Sequence, residues 1–306
     1  MEIGELKAFV EVAHRTSFRQ AAEALFVTQP TVTARIQALE RELGERLFDR
    51  STRVVHLTEP GKLFLTHVER GMRALEDART SVTDFRNSKT GVLRIAAARV
   101  IGTYVLPGIL HAFRVKRPGV EIVIRTGRSA EVVEMVLNDE VQLGLTRFIQ
   151  HPKLNAIHLY DEEIVLVTHP SHHFASQASV TLADVGREPL ILYDPGSFYY
   201  DEISSACQRA GIVPNVVMQL DSIEATKKVV ELGLGISLLP HSSFVQEQEI
   251  GTLTSVDIQG DYDVRLATTI LHRKIAALAG PSRAFIDVVQ ELPLNRNSTH
   301  ATAGEA

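Results

Sequence analysis

Apolar residues at the start of the chain recur at the spacing of one helix face. Leu6, Phe9, Val10 and Ala13 predict an amphipathic helix over residues 3–14. Ala21, Ala22 and Leu25 form a second, shorter stripe of small residues against which another helix can pack closely. Ser17 fits its N-cap, with Gln20 as the return partner of a capping box. Val32, Ile36, Leu39 and Leu43 predict a third helix. Thr28 can cap it, and Pro30 falls in its first turn, where a missing N–H costs little.

The polar edge of this third helix holds Gln29, Thr31, Thr33 and Arg35. Amide and hydroxyl groups beside a cation at a helix start suit the major groove of DNA, though they also fit an ordinary solvated hairpin. The pattern then changes to two short apolar runs, Leu47-Phe48 and Val54-Val55. They predict a small β-wing whose tip carries Arg50, Ser51, Thr52 and Arg53. Arginines at such a tip fit phosphate or narrow minor-groove contact.

From Thr58 a long helical pattern follows, with Pro60 in its first turn and no further break before Gly91. About 28 residues of helix would reach roughly 42 Å. Phe64, Val68, Gly71, Leu75, Ala78, Val82 and Phe85 alternate in steps of four and three, the spacing of a coiled-coil seam. A dimer through Phe64, Val68, Leu75, Val82 and Phe85 is expected, with packing onto the chain itself as the alternative.

Beyond Gly91 the period alternates between that of strands and that of helices. Strands are expected at 92–98, 120–125, 141–147, 162–170, 190–194, 216–220, 235–240, 252–258 and 264–272, with helices near 102–118, 129–139, 198–210, 222–232 and 282–292. This is the βαβ order of doubly wound parallel sheets. Two such units joined by strand crossings near 161–163 and 266–268 would enclose a cleft at the carboxyl ends of their strands. Arg99, Val100, Arg128, Ser129 and Arg147 follow the first three strands, and Ser197 and Phe198 open a helix in "DPGSFYY". Arginines converging on a helix N-terminus favour a small carboxylate or phosphate; pairing with surface acids is the plainer alternative.

Composition narrows the classes. The chain has 306 residues, 44% hydrophobic, with a formal charge of -5. The first ninety residues carry 14 Lys+Arg against 13 Asp+Glu, and the rest 18 against 24, so an anionic partner suits the front better than the back. The single cysteine, Cys207, excludes an intramolecular disulfide and reads as a buried helical thiol. No apolar run approaches the roughly 20 residues of a bilayer span, and no export signal is read, so a cytoplasmic protein is expected. The histidines of "HPSHHF" (169–174) have no cysteine or carboxylate cluster beside them in sequence, so no metal site and no cofactor are expected. "GLG" at 233–235 is a helix stop, and no catalytic triad is readable.

The stretch "SFRQAAEALFVTQPTVTARIQALERELGERLFDRSTRVVHLTEPG" resembles the winged helix-turn-helix of LysR-type transcriptional regulators. The shared elements are AAEAL, TQP, ALE-x-x-LG-x-x-LF-x-R and LT-x-x-G. The resemblance implies DNA contacts from Thr28, Gln29, Pro30, Thr31, Thr33, Arg50 and Arg53. The family usually has serine at the places of Thr28 and Thr33, and often arginine or another polar residue at Ala34, whose work Arg35 could take over. The remainder, more loosely, resembles the family's effector domain, related to solute-binding proteins; there Ala98-Arg99-Val100 stands where a hydroxyl is common.

The expected fold is an α+β multidomain chain. A winged helix-turn-helix occupies 1–58 (helix-turn-helix about 18–37), and a linker helix 59–88. A periplasmic-binding-protein-like α/β effector domain of two subdomains occupies 91–292, split as 91–162 with 267–292 and 163–266; a tail at 293–306 is expected to be disordered. The expected partners are double-stranded DNA, a small anionic effector, a second copy or a tetramer, and RNA polymerase. The rival classes are an α/β enzyme with a helical oligomerisation segment and a solute-binding protein.

Overall fold

The computed structural model describes residues 1–49, 55–84, 91–260, 262–274, 278 and 280–294, and divides into two compact units, residues 1–83 and 84–306. Arg50, Arg53, Phe85, the side chain of Val82 and the expected tail from residue 295 lie outside the described residues.

The first unit has three helices, α1 (Ile3–Arg15), α2 (Phe18–Ala24) and α3 (Gln29–Leu43), a hairpin of β1 (Phe48–Asp49) and β2 (His56–Leu57), and α4 (Glu59–Asp84). Its core contains the apolar stripes read from sequence: Phe9, Ala21, Ala22, Val32, Ile36 and Leu39 are buried. Fully burying one of the larger side chains contributes about 1.5–3 kcal/mol. The second wing strand pairs at His56–Leu57, two residues beyond the expected Val54-Val55.

Short-range chemistry fixes the connections. Gly44 ends α3 at φ 72°, a left-handed position that suits glycine. Glu40 then reaches forward, its Oε1 accepting the N–H of Leu47 at 2.9 Å and of Phe48 at 3.3 Å. Thr58 Oγ1 donates to Arg46 O at 2.6 Å and accepts the Gly61 N–H at 3.1 Å, which caps α4. A Cβ on Gly61 would stand 2.1 Å from Leu47 O, so only glycine admits this close passage of backbone.

One expectation needs correction. Val68 is buried within the first unit, and Phe64 packs on Phe9 with ring centroids 5.2 Å apart. The start of the expected dimer seam therefore faces the chain's own core. Gly71, Ala74, Leu75 and Ala78 are exposed.

In the second unit one sheet runs through two halves in the order β4-β3-β5-β12-β6-β10-β8-β9. The strands of its first half are β3 (Gly91–Ala98), β4 (Val120–Gly127), β5 (Leu143–Arg147), β6 (Leu154–Thr168) and β12 (Arg265–Arg273). Here α5 (Leu106–Lys116) and α11 (Gly280–Glu291) cover one face and meet at Phe113 and Phe285, 5.4 Å between centroids. On the other side α6 (Ser129–Leu137) packs Val132, Val133 and Val136 with Ala96 and Leu271. The first helix of this half begins as a π-helical turn, Ile101–Val105, before α5; the sequence pattern read both as one helix.

The second half holds β7 (Ser179–Thr181), β8 (Leu190–Tyr193), β9 (Val216–Leu220), β10 (Ile236–Pro240) and β11 (Thr254–Gln259). Its helices are α7 (Leu182–Arg187), α8 (Phe198–Arg209), α9 (Ile223–Glu231) and α10 (Val245–Ile250). The long strand β6 belongs to both halves. It pairs with β12 through Glu163 and with β10 from Ile164, where Ile164 N–H donates to Val264 O at 3.0 Å. Cys207 is buried on α8, and burial pushes its thiol pKa up.

Candidate nucleic-acid interface and interlobe cavity

The first candidate surface is the start of α3. Thr28 is its N-cap, its Oγ1 accepting the Thr31 N–H at 3.4 Å and standing 2.8 Å from Thr31 Oγ1. Thr28 thus caps the helix as expected, and Thr31, read as outward-facing, also helps to hold the helix end in shape. Thr28, Gln29 and Pro30 are exposed, while Thr31 and Thr33 are half-buried. Arg35 is half-buried too, its Cζ 3.6 Å from where a Cβ on Gly4 would stand, so it lies along the start of α1 and is not wholly outward. Pro30, Ala34 and Gln37 form a further exposed row, and Gln37 is a polar group that the sequence reading passed over. Phe26, 96% exposed at φ 55°, stands in the turn before α3.

The second site lies between the two halves of the second unit, at the carboxyl ends of β3, β4, β5 and β8. A cavity of about 340 Å³ is lined by Arg99, Val100, Arg128, Ser129, Arg147, Ser197 and Phe198, all seven of the residues singled out from sequence. The first turns of α6 and α8 border it, and first-turn N–H groups have no acceptor within their own helix. Ser197 caps α8 by accepting the Tyr200 N–H at 3.2 Å. Gly196 at φ 89° makes the turn that delivers Ser197 to the wall.

The three arginines differ in what they meet. Arg147 is 2% exposed. Its guanidinium donates to Thr268 Oγ1, to the Tyr199 hydroxyl and, at 3.2 Å, to Leu266 O, and lies 3.6 Å from Glu162 Oε2. Glu162 is itself held by Ser242, through the backbone N–H at 3.0 Å and the hydroxyl at 2.7 Å. Arg147 therefore reaches the cavity wall with its charge already answered, unlike the free anion ligand expected from sequence. Burial pushes the neighbouring Tyr160 hydroxyl to about 12 and raises that of Tyr199, so both phenols stay protonated in this network.

Arg128 Nη2 donates to Asp194 Oδ1 at 2.7 Å. Arg99 is exposed and makes no ion pair with an acid among the described residues. Asp194 was not among the expected site residues. No local pattern marks it, because its partner is 66 positions away and on the other half of the sheet. Nearby, Tyr104 from the π-helical turn donates to Glu224 Oε1 across the same gap at 2.5 Å. Burial and then that carboxylate raise the Tyr104 pKa.

A winged helix-turn-helix followed by a two-lobed α/β unit with a cavity at its strand ends is the architecture of a DNA-binding regulator with an effector-binding domain. Residues 3–62 match the model of the bacterial regulatory helix-turn-helix protein, lysR family, and residues 86–293 match the LysR substrate binding domain. The chain is similar to the HTH-type transcriptional regulator GltR of Bacillus subtilis (strain 168), 30% identical over 94% of this chain and 95% of that protein. It is also similar to the HTH-type transcriptional activator CmpR of Synechocystis, 28% identical over 92% of this chain and 93% of that protein. Among solved structures, full-length CbnR complexed with its target DNA superposes with a TM-score of 0.70, at 26% identity, over 95% of this chain and 99% of that one. The chain belongs to the LysR family of transcriptional regulators; it is a DNA-binding regulator with an effector-binding domain, not an enzyme. No helix among the described residues is long and apolar enough to cross a membrane.

Proposed function

We propose that the exposed start of α3 reads base edges in the major groove, and that a small carboxylate or phosphate in the 340 Å³ cavity sets the regulator's activity. Gln29 offers an amide suited to bidentate contact with adenine, and Thr28, Thr31 and Thr33 offer hydroxyls. Arg50 and Arg53, near the wing, are assigned to phosphate or minor-groove contact. Two chains pair through the exposed face of α4 around Gly71, Leu75 and Ala78, where small residues permit close approach. Two recognition helices then address two half-sites. In the cell the protein works in the cytoplasm, beside DNA and RNA polymerase.

The observation that carries the anionic reading is Arg99, exposed at the cavity without an acidic partner among the described residues and beside two helix first turns. Helix N-termini favour negative charge. The effector acts to the extent that it binds two arrangements of the protomers unequally. A thermal-shift screen of small carboxylates and phosphates on the full-length protein tests this. A ligand whose shift disappears in Arg99→Ala supports the assignment; an undiminished shift in that variant removes it.

A further inference from the structure

The loop after β6 carries His169, His172 and His173, and the fold brings to it the carboxylate that the sequence did not show. Glu188, just past α7, meets both later histidines. Its Oε2 lies 3.6 Å from His172 Nε2, and its Oε1 lies 3.5 Å from His173 Nε2. One ligand atom from each of the three residues lies within 4.8 Å of the others, and the two imidazole centroids are 4.4 Å apart.

These separations are long for hydrogen bonds. They are close to the spacing, roughly 3.4 Å, between donors arranged tetrahedrally about 2.1 Å from a central ion. Two imidazole nitrogens and one carboxylate are a donor set for borderline transition ions; Mg²⁺ and Ca²⁺ prefer oxygen alone. We propose that His172, His173 and Glu188 bind a divalent ion of the Zn²⁺, Co²⁺ or Ni²⁺ class, tying the loop after β6 to the end of α7.

The side chains of His172 and Glu188 are mostly covered, and that of His173 is 59% exposed. Two donors are therefore held by packing, and the third swings in to close the remaining gap. The exposed side leaves a position for water. One contact is given up. His172 Nδ1 accepts the Phe174 N–H at 3.2 Å, and a ring that ligates through Nε2 carries its proton on Nδ1. That loss is one long neutral hydrogen bond against three coordinate bonds. The ion would sit two residues before β8, whose far end supplies Tyr193 and leads into Asp194 of the cavity wall.

The test is a Co²⁺ titration of chelator-stripped, full-length protein, followed by visible d–d absorption and calorimetry, with Zn²⁺ as the displacing ion. One saturable equivalent per chain, released by Zn²⁺ and accompanied by a rise in Tm, is the expected result. Glu188→Gln and His173→Gln are each expected to lower affinity about tenfold or more. His169→Gln, whose Nδ1 is engaged by Ser171 Oγ at 2.7 Å, keeps the site. His173→Gln removes a largely exposed side chain, so it remains informative should Glu188→Gln fail to fold. A wild-type titration without a saturable equivalent, or equal affinity in the wild type and His173→Gln, would overturn the proposal.

Discussion

Arg128 Nη2 and Asp194 Oδ1 stand 2.7 Å apart and join the two halves of the effector-binding domain across its cavity. The aspartate side chain is 5% exposed and the arginine 48%. The protein's own carboxylate thus occupies a position that an anionic ligand would seek. It does so from a strained backbone, since Asp194 has φ 27°.

This pair makes Asp194 an internal competitor. Asp194→Asn keeps the shape and removes the charge. For any carboxylate found to bind the cavity, its affinity is expected to rise about tenfold, the scale of one charge-assisted hydrogen bond. Calorimetry on the wild type and variant checks this; equal or weaker binding in the variant would show that Asp194 does not compete.

The network under Arg147 is expected to act on stability first. Glu162→Gln leaves a buried guanidinium without its counter-charge, and breaking such a pair costs about 3–5 kcal/mol. A fall in the urea midpoint at constant m-value is the expected outcome. Loss of ligand response without loss of stability would instead make Arg147 a direct ligand group.

Local chemistry was readable in the sequence; long-range pairing was not. Ser17, Thr28 and Pro30 announced their helix starts because caps depend only on neighbours three residues away. The strand ends around Arg99, Arg128 and Ser197 were legible because βαβ order places them on one edge of a sheet. The partners of Arg128 and Arg147 were hidden, since Asp194 and Glu162 reach them only through the sheet's crossover. The pattern of Phe64 and Val68 was real but ambiguous: a seam that buries one face cannot by itself say whether the covering surface belongs to the same chain. Short elements such as β7 and α10 have too few residues to display a period.

Gly61 tests the meaning of the LT-x-x-G motif. Its Cβ position is occupied by Leu47 O, a backbone atom that moves only with the wing. Gly61→Ala is expected to destabilise the N-terminal unit by about 1–3 kcal/mol. Chemical denaturation followed by circular dichroism measures this.

Leu75 tests the pairing of chains. It is 52% exposed on α4, beside exposed Gly71 and Ala78. Leu75→Glu is expected to weaken dimerisation about tenfold or more, the equivalent of one buried leucine, by sedimentation equilibrium. An unchanged dissociation constant would place the interface elsewhere.

The most direct test of the whole account is binding of wild type and Gln29→Ala to DNA. Duplexes selected by the wild type from a random pool and scrambled duplexes are compared by fluorescence anisotropy at two salt concentrations. The expected result is a loss of about 1–3 kcal/mol on the selected sequence, with binding to scrambled DNA and its salt slope unchanged. Equal losses on both sequences, or no selected sequence at all, would contradict the claim that the start of α3 reads bases.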